Sequence, residues 1–171
     1  MWFANQRAVE YHPTLALVAH LDRPTHLVLD LDPPDGAGFA AAVAAAHLVR
    51  RALADVGLVG AVKSSGAKGV HVFVPLAEGT SADEAATATR AIARRAELLD
   101  PDVATTAFVK ADRGGKVFVD ATRTGGATVA AVYSPRARPG VPVSFPVSWD
   151  ELDRLVPGEQ TIRTALDRLG T

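Results

Sequence analysis

The chain has 171 residues, 48% of them hydrophobic, enough for one buried core with no length to spare for a second domain. A formal net charge of −1 and a sequence pI near 6.5 exclude a chain that is basic as a whole, so any surface for nucleic acid must be local. The absence of cysteine excludes disulfides and thiolate metal sites; with no cationic apolar leader and no run of about 18 apolar residues, a cytoplasmic protein that avoids membranes is expected.

The opening, MWFANQRAVEYHPTLAL, starts as though already inside a helix, with no cap or strand ahead of Trp2 and Phe3, so a segment upstream is expected. Residues 26–39, HLVLDLDPPDGAGF, then read as a strand that breaks at Pro33 and Pro34. Side chains alternate along a strand, so Asp30 and Asp32 share one face and Leu29 and Leu31 the other. Two carboxylates on one face repel, and a cation or strong donors must compensate them. The alanine-rich stretch after Gly36 predicts a helix over 38–56, stopped at Gly57. AVKSSGAKGVHVFVPL predicts two strands around a Gly66-Ala67-Lys68-Gly69 turn.

Ser81 and Glu84 form a capping-box pattern that opens a helix to about Leu99, ahead of Pro101 and with Arg90, Arg94 and Arg95 on its solvated face. KVFVD, residues 116–120, reads as a strand whose Lys116, Phe118 and Asp120 share a face. ATVAAVYS after Gly125 and Gly126 reads as its hairpin partner. Ser148 and Glu151 repeat the capping box, predicting a short helix over 149–155 and a last one over 160–169. The outcome is an α+β fold.

Asp30, Asp32 and Asp120 make a three-acid set of the kind that holds magnesium or manganese, which take oxygen ligands and are bridged to substrate phosphates. A phosphate binder is then needed. SSGAKGVH offers glycines for close backbone approach, the Ser65 hydroxyl and the Lys68 charge, but lacks the spacing of a Walker A loop. His71 follows the turn, and Arg136 and Arg138 in YSPRARPG add two guanidinium forks. Each feature alone has a plainer reading: a strand-end acid pair, a simple turn, a polar histidine at position 12 or 71, solvated arginines. Their combination points to phosphate chemistry, because each supplies what the others lack.

LVLDLDPP, SSGAKGVHVFVPL, KVFVDAT and VYSPRARPG, in that order, resemble the polymerase domain of bacterial DNA ligase D, in the archaeo-eukaryotic primase superfamily used in non-homologous end joining. WFANQRAVEYHP resembles the segment ahead of that family's acid pair. The resemblance implies a primase-polymerase-like mixed or antiparallel sheet flanked by helices, truncated at the N-terminus, with residues 1–171 forming the C-terminal portion of one catalytic domain. It implies that Asp30, Asp32 and Asp120 ligate two Mn²⁺ or Mg²⁺ ions, and that His12, Ser65, Lys68, His71 and Arg136 contact the triphosphate of an incoming nucleotide. The implied reaction is template-directed nucleotidyl transfer at DNA ends or gapped DNA. The implied partners are nucleoside triphosphates, an ATP-dependent DNA ligase and a Ku-like end-binding protein. Where this chain has Ala121, Thr122, Arg123 and Thr124, the family pattern is Trp-Ser-Gln-Asn, so a cation replaces an amide beside the third acid. The family also carries further residues upstream that grip DNA.

Two other classes compete. One is a truncated relative that binds metal and nucleotide without polymerising, or an interaction module. The other is a haloacid-dehalogenase-like phosphohydrolase, whose acid pair should be followed two residues later by Thr or Val; Pro34 stands there instead.

Overall fold

The computed structural model describes residues 2–124 and 126–169. Helix α1 (Trp2–Asn5) precedes a small ribbon of β1 (Ala16–Leu17) and β2 (His20–Pro24). Then follow β3 (His26–Asp32), α2 (Phe39–Ala54), β4 (Ala61–Ser64), β5 (Val70–Pro75) and α3 (Ala82–Leu99). The chain closes with β6 (Ala104–Thr105), β7 (Val117–Asp120), β8 (Pro146–Val147), α4 (Trp149–Leu152) and α5 (Ala165–Arg168). Six strands form the main sheet in the order β6-β7-β3-β5-β4-β8, with only β6 and β7 parallel. The fold is therefore a mixed α+β sheet covered by helices, as expected. No described helix is long and apolar enough to cross a membrane.

Strand parity builds the core. Leu27, Leu29 and Leu31 of β3, Val70, Val72 and Val74 of β5, and Val117 and Val119 of β7 are buried on one face. That face packs under α2 and α3. Alanine gives these helices their propensity and their close approach: Ala42, Ala45, Ala46 and Ala52 of α2 and Ala85, Ala93 and Ala96 of α3 are all buried. Helix α3 begins with a complete capping box, Ser81 Oγ accepting the Glu84 N–H at 3.3 Å and Glu84 Oε2 accepting the Ser81 N–H at 2.9 Å. Ser148 and Glu151 do the same for α4, which ends at Leu152. The final helix runs only from Ala165 to Arg168, after a 3₁₀ turn at Pro157–Glu159.

One expected element is corrected. Residues 127–134 do not pair with β7, whose two neighbours are β6 and β3. They lie against the N-terminal segment instead: the Val129 N–H bonds Pro13 O at 3.2 Å and the Ala131 N–H bonds Tyr11 O at 2.9 Å. The cause sits at Thr124, whose buried Oγ1 accepts the Val28 N–H at 3.1 Å. That hydroxyl closes the ladder of β3 beyond the end of β7 and turns the chain away from the sheet. Gly125, part of the expected turn, lies outside the described residues.

Candidate active site: a charged row across the sheet

The face of the sheet opposite the core carries the site. Asp120 of β7 lies opposite Asp30 of β3, Asp30 opposite His71 of β5, and His71 opposite Lys63 of β4. Four central strands thus place two acids, an imidazole and an amine in one cross-strand row. Asp32, two residues beyond Asp30, begins the next row beside Phe118. Asp30, Asp32 and Asp120 all line one cavity of about 380 Å³, with Ser65, Lys68, His71, Arg136 and Arg138. The expected acids and the expected anion binders therefore meet. His12 is not in the lining: its Nε2 lies 2.9 Å from Glu10 Oε2, and Glu10 Oε2 lies 3.3 Å from Arg136 Nε.

Like charges placed directly opposite on adjacent strands destabilise a sheet unless they are compensated. Here Arg123 compensates them. Its Nε lies 3.0 Å from Asp120 Oδ2 and 3.5 Å from Asp30 Oδ2. The other Asp120 oxygen accepts both the N–H and the hydroxyl of Thr122, at 2.8 and 2.6 Å. Asp30 Oδ1 faces His71 Nε2 at 3.3 Å. Burial works to raise the Asp30 carboxyl; the His71 hydrogen bond and the charges of His71, Arg123 and Lys63 more than reverse this and leave it below the ordinary carboxylate range. Burial lowers His71 in turn, which favours a neutral ring donating from Nε2 to Asp30, while Nδ1 is buried without a hydrogen-bond partner.

Lys63 is 2% exposed, donates to Ser144 Oγ and lies over the Phe73 ring. Burial pushes its amine down to about 7, against the pull of Asp30. Asp32 is more loosely held, with Lys68 Nζ at 3.7 Å and Arg113 Nη1 at 3.8 Å.

The turn at 65–69 is tightly built. Ser65 Oγ accepts the N–H groups of Ala67 and Gly69 at 3.2 and 3.1 Å, so those two amides are held within the loop rather than presented to an anion. The glycines serve close packing. A Cβ on Gly69 would meet Leu31 O at 2.7 Å, and one on Gly66 (φ +72) would meet the Ser144 N at 2.8 Å. Lys68 bonds Asp35 Oδ1 at 3.1 Å, and Lys110 takes the other Asp35 oxygen at 2.6 Å, holding that exposed acid down at about 2. Arg136 Nη1 donates to Ser65 O, tying the arginine loop to the turn.

Several contributors escaped sequence reasoning. Arg113 lines the cavity with its guanidinium 3.9 Å from the Phe118 ring centroid, and its Nε and Nη2 donate to Ala107 O and Phe108 O. Its sequence context, Arg113-Gly114-Gly115 ahead of β7, reads only as a turn. Lys63 was within reach, because the register of a hairpin turning at 65–69 places it opposite His71.

The donor chemistry fits a hard divalent cation, since three carboxylates share a cavity in a chain without thiols. Among the described residues, no three histidine or acidic side chains gather closely enough to enclose an ion as they stand, and Arg123 lies between two of the acids. The cavity holds five cationic side chains, Lys68, Arg113, Arg123, Arg136 and Arg138, against three carboxylates. That excess suits a polyanion.

Residues 1–171 match the family model described as LigD, primase-polymerase domain. The multifunctional non-homologous end joining DNA repair protein LigD of Mycobacterium tuberculosis (strain H37Rv) is 39% identical over 161 residues, covering 89% of this chain and 21% of its own length. LigD of Pseudomonas aeruginosa is 38% identical over 164 residues, 95% of this chain and 20% of its own. The bifunctional LigD of Bacillus subtilis is 33% identical over 172 residues, 99% and 28%. The chain thus spans between 20% and 28% of the length of these relatives. A solved structure, the polymerase domain of Mycobacterium tuberculosis ligase D in complex with DNA, superposes with a TM-score of 0.80 at 37% identity over 97% of this chain and 63% of that one. With a matching sequence model over its full length and a matching fold, the chain belongs to the LigD primase-polymerase domain family.

Proposed function

We propose that this chain carries the catalytic centre of a nucleotidyltransferase that adds a nucleotide to a DNA 3′ hydroxyl under template direction, in the end joining of double-strand breaks. The carrying observation is the meeting, in one cavity, of Asp30, Asp32 and Asp120 with an excess of cationic side chains. The substrates are a nucleoside triphosphate and a DNA end or gapped duplex, with an ATP-dependent ligase and a Ku-like end-binding protein as partners. The DNA-bound neighbour structure and the end-joining relatives support this reading.

Asp30, Asp32 and Asp120 would hold two Mg²⁺ or Mn²⁺ ions, which supply Lewis-acid stabilisation of the attacking and leaving oxygens. The chain's own groups do the rest. Lys68, on a turn fixed by Ser65, and Arg136, tied to that turn, present positive charge to the triphosphate and stabilise the pyrophosphate as it leaves. Lys68 must leave Asp35 to do so. His71 holds Asp30 in place by its Nε2 hydrogen bond, and the Asp30–Asp120 register fixes the two acids at the resolution of a strand ladder. His12 reaches the site through Glu10 and Arg136. No covalent nucleophile is needed.

Primer extension on a gapped duplex with Mn²⁺ tests this. Wild type is expected to extend, and Asp30→Ala and Asp120→Ala are each expected to lose roughly a thousandfold in rate. Full extension by either variant contradicts the assignment. A second reading, a relative that binds nucleotide and metal without polymerising, is favoured by the position of Arg123 across two of the acids. Nucleotide binding with no extension by wild type would select it.

A further inference from the structure

Resting on the reading of Asp30 and Asp120 as cation ligands, we propose that Arg123 is a resident counter-ion that competes with the divalent ion: its guanidinium holds the two opposed carboxylates while no ion is bound and gives way when one binds.

The loop after β7 is built to deliver this residue. Thr122 is fixed by two hydrogen bonds to Asp120 Oδ1, and Thr124 by its hydroxyl, which accepts the Val28 N–H and meets Thr89 Oγ1 at 3.1 Å. Arg123 lies between these two anchors, so its backbone has little freedom and its side chain starts beside the acids. The ion pairs to Asp120 and Asp30 are the contacts its charged group makes among the described residues. The other cations near the acids have different partners from the Asp30–Asp120 pair: Lys68 bonds Asp35 and lies near Asp32, Arg113 bonds two carbonyls, covers the Phe118 ring and lies near Asp32, and Lys63 bonds Ser144.

Arg123 is held by charge. Its Nε is buried with no hydrogen bond, so charge without directional bonding keeps it there. A divalent ion carries twice the charge and replaces that attraction when it binds, whereas removal of the side chain leaves Asp30 and Asp120 opposed with no charge between them. Arg123 lines the same cavity as Lys68, Arg136 and Arg138, so phosphate oxygens bound there are the next partners within reach of a displaced guanidinium fork. Binding of the ion thereby turns a carboxylate partner into an anion partner.

The test is Mn²⁺ binding by the full chain without nucleotide, read from the electron paramagnetic resonance signal of free Mn²⁺, for wild type, Arg123→Gln, Arg123→Lys and Asp120→Asn. Arg123→Gln is expected to bind Mn²⁺ roughly tenfold tighter than wild type, since a competing charge a few Å from both ligands is gone. Its melting temperature in EDTA is expected to fall below that of wild type and to recover on Mn²⁺ addition. Arg123→Lys keeps the charge and is expected to stay within about threefold of wild type. Unchanged or weaker Mn²⁺ binding by Arg123→Gln, with Asp120→Asn losing the ion, overturns the competitor role and leaves the carboxylate site standing. Equal tightening by Arg123→Lys also overturns it. Wild-type affinity in Asp120→Asn removes the carboxylate reading itself and the proposal with it.

Discussion

The two faces of the central sheet are made from the same strands and follow opposite rules. Toward α2 and α3, Leu29, Leu31, Val72 and Val119 contact one another and need no specific partner beyond volume. Toward the cavity, Asp30, Asp120, His71 and Lys63 are each met by a particular group: Asp120 by Arg123 and Thr122 of the loop that follows it, Asp30 by Arg123 and His71, and Lys63 by Ser144 from a loop distant in sequence. The apolar face supplies stability by area. The charged face uses some of that stability to hold carboxylates, an imidazole and an amine out of water in fixed register.

Substitutions separate the two. Leu29→Ala, at a position with 0% exposure, is expected to lower unfolding free energy in urea titration by about 3 kcal/mol. The Mn²⁺ affinity of the folded fraction should stay within about twofold; a large loss of affinity would erase the distinction between the faces. Gly69→Ala tests the seam between them, since its Cβ would press on the Leu31 carbonyl at 2.7 Å. A loss of about 2 kcal/mol, together with weaker nucleotide binding, is the expected result.

Lys63 sharpens the comparison through pH. Its amine is lowered to about 7 in the folded protein from 10.5, in the company of Asp30, His71, Arg136 and Ser144. Unfolding therefore takes up a proton between pH 7 and about 10, and stability rises with pH across that window, by at most ~1.4 kcal/mol per pH unit. The His71 and Asp30 shifts act at lower pH, since both groups are lowered from values of 6.5 and 3.8. Urea titrations from pH 7 to 9 should show the rise in wild type and a flatter profile in Lys63→Met. The smallest effect belongs to the core side's helix cap: Ser81→Ala is expected to lower stability by about 1 kcal/mol and to leave the pH profile unchanged.

The same contrast explains what was legible in the sequence. Leucine and aspartate alternation assigned β3 and both of its faces, the capping box at Ser81 and Glu84 placed α3, and the Gly66–Gly69 turn set the β4–β5 hairpin. These are local signals. The alternation in ATVAAV was equally strand-like, yet its partner is the segment at 11–14, because Thr124 turns the chain off the sheet. Strands β6 and β8 are two residues long and carry no periodicity to read. Arg123 was visible as a cation beside the third acid, but its contact with Asp30 depends on the β3–β7 register, which no local pattern reports. Arg113 depends on the same tertiary register, since Asp32 and Phe118 pair across it.

The claim on which the functional account stands is that Asp30 and Asp120, opposed across one ladder position, act as a single unit. A double-mutant cycle on primer-extension rate measures this directly, with Asp30→Ala, Asp120→Ala and the pair together. Each single change is predicted to remove nearly all activity, and the pair to be no worse than either within about threefold. Losses that multiply, or a single variant retaining half the wild-type rate, would contradict it.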